Sequence, residues 1–167
     1  MSKQEKQISL SESNIKTMLN GQCNVLTYPE LVNYDNINDA MGPHGALILL
    51  YMTNQNYGHW VCAFKRNNNA IEFFDSYGFF PDDELKLIPE YFRKVSNQLY
   101  PHLTYLLLKS KNKIEYNNVQ LQKLKKDVNT CGRWCIVRIM LRNLTINEFV
   151  RKFQDNGDFK VTELTSK

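Results

Sequence analysis

Apolar positions along the chain fall into runs of two kinds. ALILLYM (46–52) is unbroken and bounded by punctuation, the pattern of a strand buried on both faces. HWVCAFK (59–65) and AIEFFD (70–75) predict two more strands, joined by RNNN (66–69), since asparagine tolerates a left-handed backbone. LTYLLLK (103–109) and IEYNNVQLQ (114–122) read as further strands. CGRWCIVRIMLRN (131–143) is longer and apolar over most of its surface, which predicts a central helix. Shorter helices are expected over 11–21, with Ser11 or Ser13 as cap and Gly21 past the end, and from near Pro89 to about Leu99, with Phe92, Val95 and Leu99 as the apolar face. A helical turn is expected at 36–41, and TINEF opens a last helix with Thr145 and Glu148 spaced as a capping box. Strands with helices on both sides in irregular order mean α+β, a central mixed β-sheet packed by helices.

Length and composition narrow the classes. A chain of 167 residues is expected to form one domain over 1–167, with residues 1–10 loose. Hydrophobic residues at 43% and aromatics at 12% support a core and exclude a disordered chain. No run reaches eighteen apolar residues, so no membrane contact is expected. The polar start MSKQEKQISLSESN lacks the apolar stretch of a secretory signal, so the chain is expected not to be secreted. In a reducing compartment the four cysteines, Cys23, Cys62, Cys131 and Cys135, are then expected to be free thiols. The net charge of +4 is mild. Its basic residues cluster at Lys109, Lys111 and Lys113 and at Lys123, Lys125 and Lys126; solvated loops account for both clusters, and an acidic partner such as DNA is the alternative.

Four positions could make one site. A turn centred on Asn67 would place His59 directly opposite Asp75, with β-carbons about 4.5–5.5 Å apart. A carboxylate that accepts from one ring nitrogen leaves the other free to act as a base. Cys131 opens the predicted central helix after Asp127, Asn129 and Thr130, all possible caps. A thiol in that position meets the positive end of the helix dipole, which favours the nucleophilic thiolate. Gly132 would let a substrate backbone come close, while Trp134 and Cys135 fall toward the helix packing. Zinc would want two close ligand pairs, and only Cys131 and Cys135, three residues apart, offer anything similar. No metal or other cofactor is therefore expected. Gln120 and Gln122, just before the cysteine loop, could donate an amide N–H to a tetrahedral oxyanion.

The order His, Asp, Gln, Cys resembles the clan of cysteine peptidases that contains adenovirus protease and the SUMO and other ubiquitin-like-protein proteases. The matching pieces are GHW (58–60), FFDSYG (73–78), a glutamine, and CGRWC (131–135), within a resemblance covering about 46–142. The resemblance implies a cysteine-peptidase fold with the nucleophile at the N-terminus of a buried helix. It implies His59 as general base, Asp75 as its orienter, Cys131 as nucleophile and Gln122 as oxyanion donor, with Gln120 as the spare. Trp60, Gly132 and Trp134 would bind substrate, Trp60 walling a channel for a small residue such as glycine. Gln122 lies nine residues before Cys131, farther than in the cellular members. The compact length looks more like the small maturation proteases of virophages, giant viruses and Polinton-type elements. Such a protease would trim capsid or core precursors in the host cytoplasm or the virion, and the six lysines would offer a weak DNA contact of the kind that helps adenovirus protease. A protease for ubiquitin or a ubiquitin-like protein is the alternative substrate reading. An acetyltransferase using a similar triad, or a binding module in which the triad is coincidental, are the other classes.

Overall fold

The sheet is the frame that carries the candidate residues. The computed structural model describes residues 10–54, 57–67, 69–125 and 128–166. Five strands, β1 (Asn24–Thr27), β2 (Ala46–Asn54), β3 (Tyr57–Asn67), β4 (Ala70–Phe74) and β5 (Lys113–Tyr116), lie side by side in chain order. The outer pairs β1–β2 and β4–β5 are parallel and the inner pairs are antiparallel. The helices are α1 (Glu12–Met18), α2 (Ile37–Met41), α3 (Glu90–Val95), α4 (His102–Lys109), α5 (Cys131–Met140), α6 (Ile146–Phe153) and α7 (Gly157–Leu164). The expected mixed sheet packed by helices is what the chain forms.

Alternation along the strands sends side chains to two cores. Ile48, Leu50, Trp60, Cys62, Phe64 and Phe74 pack with Ile15, Trp134, Cys135, Phe149 and Phe153 from the helices. Leu47, Leu49, Tyr51, Val61, Ala63 and Phe73 pack on the other face with Leu31, Ile37, Met41, Leu103 and Leu106. Cover on both faces explains why ALILLYM lacks polar alternation. Ser11 caps α1, its hydroxyl accepting from Asn14 N–H at 3.2 Å, and Thr145 caps α6 through the expected box with Glu148.

Several expectations need correction. LTYLLLK is helix, not strand: Leu103, Leu106 and Leu107 are buried at helical spacing while Tyr105 and Leu108 face out. The strand expected over 114–122 stops at Tyr116. There Asn117 replaces the ladder, its side chain donating to Asp75 O at 2.6 Å and accepting from Asp75 N–H at 3.2 Å. Short β1 and the final helix α7 were not expected. The turn at 66–69 includes Asn68, and the loose start, the Asp127 cap and Lys126 also fall, wholly or for residues 1–9, outside the described residues.

One buried ion pair fastens α5 to the sheet. Arg138 donates from Nε to Glu72 Oε2 at 2.7 Å and from Nη2 to Glu72 Oε1 at 2.9 Å. Its Nη1 also donates to Leu141 O and its Nη2 to Leu144 O, and its guanidinium lies over the rings of Phe64 and Phe149. Breaking a pair this deep strands the surviving charge, which costs about 3–5 kcal/mol. Arg138→Met is therefore expected to lower the unfolding free energy by that amount in urea titration; a midpoint matching wild type would refute the assignment.

Candidate active site

The antiparallel hairpin brings the start of β3 to the end of β4. Gly58 makes the approach possible, because a β-carbon there would lie 1.8 Å from Tyr51 O across the β2 ladder. The register differs from the expected one. Cys62 pairs with Phe74, whereas a turn centred on Asn67 would place Glu72 there. The shift is two residues, an even number, so side chains keep their faces. His59 and Asp75 still meet, with Nε2 and Oδ1 2.8 Å apart. The residue that the observed register carries opposite His59 is Tyr77, whose ring stacks on the imidazole at 4.5 Å and 9°.

The loop after β4 is clamped to the loop after β5. Ser76 O accepts from both Leu121 N–H (2.8 Å) and Gln122 N–H (2.9 Å), and Ser76 Oγ donates to Gln122 Oε1 at 2.7 Å. Gly78 has φ +81°, and a β-carbon on it would lie 2.8 Å from Val119 C. This position needs glycine twice over, for backbone and for space. The clamp buries Gln122 beside the site and leaves Gln120 exposed, its amide donating to Gln122 O.

Cys131 is the first residue of α5, buried, and its Sγ accepts from Trp60 N–H at 3.4 Å. The loop before it is anchored by Asp158 on α7, which accepts from Thr130 Oγ1, Trp134 Nε1 and Lys123 N–H. Nothing in the sequence pattern singles out Asp158, because its partners lie 24 to 35 residues away. His59 Nε2 is committed to Asp75, so Nδ1 is the nitrogen left for Cys131, which lies near enough to influence the imidazole's titration. Burial alone would lower the His59 pKa. The charge and hydrogen bond of Asp75, and the neighbouring Cys131, outweigh it and hold His59 well above the ordinary histidine value.

The expected substrate-binding residues sit differently. Trp134 is fully buried among Phe149, Phe153 and Gly157, so it is a core residue and not a substrate contact. Trp60 is buried too, its indole N–H donating to Leu10 O at 3.2 Å. Gly132 faces Trp60, Leu10 and Ile15, so its missing side chain makes room for packing and not for a substrate. All four cysteines are free, and burial pushes Cys23 up to about 12 and Cys135 well above the usual thiol range. Lys109, Lys111, Lys113, Lys123 and Lys125 are exposed.

Glu84 was not foreseen. It is buried with Oε2 unpartnered, as is Asp75 Oδ2, and the ligating atoms of His59, Asp75 and Glu84 lie within 4.8 Å of one another. A metal ion held by these three would have to take His59 Nε2 from Asp75. Burial raises the Glu84 pKa, Asp75 raises it further, and His59 opposes both. A carboxyl with a raised folded pKa binds its proton more tightly in the folded state, so its contribution to stability declines as pH climbs above the unfolded value. Glu84→Gln is therefore expected to raise Tm more at pH 8 than at pH 5, read by differential scanning fluorimetry; a larger gain at pH 5 would contradict it.

No family model matches the sequence. The chain is 47% identical over 157 residues to "uncharacterized protein V9" of Sputnik virophage, covering 93% of this chain and 89% of that protein. In three dimensions it is similar to the ASFV pS273R protease, with a TM-score of 0.54 at 16% identity, covering 95% of this chain and 67% of the protease. A selenomethionine form of that protease aligns with a TM-score of 0.51 at 15% identity, over 96% of this chain and 68% of the other. The fold resembles that of a viral protease, and among the described residues no helix is long and apolar enough to cross a membrane. By sequence, the chain belongs to the family of the Sputnik virophage protein V9.

Proposed function

We propose that this chain is a cysteine endopeptidase in which Cys131 is the nucleophile, His59 the proton carrier, Asp75 its orienter and Gln122 part of the oxyanion site. The observation that carries this reading is the His59–Asp75 bond of 2.8 Å, with the imidazole's other nitrogen left to a cysteine at a helix N-terminus. The likeness to the ASFV pS273R protease in fold supports it.

The Cys131 thiolate attacks a peptide carbonyl, and its S–C bond forms as the carbonyl pair moves onto oxygen. The Trp60 N–H bond to Sγ and the imidazolium of His59 favour the thiolate before attack. His59 gives its proton to the departing amine, then takes one from the water that hydrolyses the acyl-enzyme. Substrate is protein, and Cys131 and His59 expose so little surface, 7% and 5%, that a slender residue such as glycine fits best before the cut bond. Kinship with a virophage protein supports structural precursors of a virus as the substrates, met in the infected cell or the virion.

Cys131→Ala is expected to abolish cleavage of Gly-X peptides drawn from such precursors, with circular dichroism unchanged. His59→Ala should cost about 10²–10⁴-fold in turnover. Asp75→Asn should cost less, because an asparagine Oδ1 can still accept from His59 Nε2 and from Tyr77 N–H, now 2.8 Å from the carboxylate. Cleavage surviving in Cys131→Ala would end the assignment. Adduct formation with a ubiquitin electrophile probe, lost in Cys131→Ala, would keep the chemistry and move the substrate to ubiquitin-like proteins.

A further inference from the structure

One carboxylate holds both ends of the connector that joins Gln122 to Cys131. Lys123 follows Gln122 and Thr130 precedes Cys131. Asp158 Oδ2 accepts from Lys123 N–H at 3.1 Å, and Oδ1 accepts from Thr130 Oγ1 at 2.7 Å and from Trp134 Nε1 at 2.9 Å. Asp158 is buried in the first turn of α7, where three donors replace the water that a carboxylate loses. Gly157 lets that turn come close enough, because a β-carbon on it would lie 2.4 Å from Trp134 Cη2. Resting on the cysteine-peptidase reading, we propose that Asp158 is a positioning residue, which sets Cys131 and Gln122 relative to each other by fixing the residue next to each.

The backbone records what Thr130 gives up for this bond. Ser11 and Thr145 stand at the heads of α1 and α6 with ψ of 166° and 164°, and each caps its helix with its hydroxyl. Thr130 stands at the head of α5 with ψ 4° and makes no side-chain cap, its hydroxyl having gone to Asp158. A threonine that caps fixes only its own helix. One that binds Asp158 fixes the start of α5 to a point outside the helix, and Lys123 is fixed to the same carboxylate. The arrangement calls for a carboxylate. An asparagine would offer a single acceptor oxygen, and its amide N–H₂ would face either Lys123 N–H or the indole N–H of Trp134, donor against donor. Attack needs the sulfur to meet the carbonyl carbon while the carbonyl oxygen meets its donors, so a slack connector misplaces one against the other.

Two bonds to the same oxygen separate positioning from stability. Trp134→Phe removes the indole donor and leaves both ends of the connector tied, whereas Thr130→Val removes the donor next to Cys131. Acylation of Cys131 by p-nitrophenyl acetate passes through an oxyanion, and alkylation by iodoacetamide does not. The ratio of the two rates is followed by intact mass in the full chain, beside Tm. Thr130→Val and Asp158→Asn are expected to cut the ratio by up to about 10²-fold, the cost of a misplaced reacting group. Thr130→Ser, which keeps the hydroxyl, should hold the wild-type ratio, and Trp134→Phe should hold it while lowering Tm. Wild-type ratios in Thr130→Val and Asp158→Asn, with only Tm lowered, would make Asp158 a packing residue and overturn the proposal. An equal loss of ratio in Trp134→Phe would overturn it too, because the effect would then follow stability. If wild-type Cys131 reacted with iodoacetamide no faster than a free thiol, the peptidase reading itself would fail, and this inference with it.

Discussion

Everything at the candidate site hangs on the buried contact between Arg138 and Glu72. Arg138 sits seven residues, about two turns, after Cys131 on α5, and Glu72 sits three residues before Asp75 on β4. The pair therefore sets the helix that begins at Cys131 against the strand that leads into Asp75. An apolar contact there could slide by a rotamer; a bidentate fork between planar groups has one geometry. The pair is better understood as fixing an alignment than as adding stability, because two charges in a core cost roughly what their attraction returns.

The rest of the site is built from loops, which ordinarily lack the stiffness that catalysis needs. Here the loop after β4 and the loop after β5 supply that stiffness to each other. Asn117 imitates a strand partner for Asp75, Ser76 takes two backbone donors, and Gly78 lets the backbones touch. From the other side, Asp158 gathers the loop ahead of Cys131 into α7. The dyad is surrounded by groups with few alternative partners, so its geometry exists before any substrate arrives.

Much of this was legible in the residues themselves, for reasons that can be named. His59 and Asp75 met because parity along a hairpin survives a two-residue error in register, although the exact pairing did not. Cys131 was found because a polar loop followed by an apolar run marks a helix start. LTYLLLK was misread because five apolar positions in a stretch of seven fit both periods, and only packing against Leu31 and Ile37 chooses between them. Asp158 and Tyr77 make their contacts across loops and cores, and Glu84 is buried beside His59 and Asp75 by the fold; local pattern holds no trace of such neighbours. Trp134 and Gly132 belonged to a recognisable motif, yet they answer to the packing of α5.

That division has a consequence for how such a chain would age. Gly58 stands in the same tripeptide as His59, but its constraint comes from the carbonyl of Tyr51 passing where any side chain would begin. Gly157 is held in the same way by the indole of Trp134. A descendant could exchange His59 and Cys131 and go on inheriting Gly58, Gly78, Trp134 and Gly157, since the scaffold still needs them. Among diverged descendants the glycines and the tryptophan would trace ancestry, and the histidine and the cysteine would speak only to the proposed chemistry.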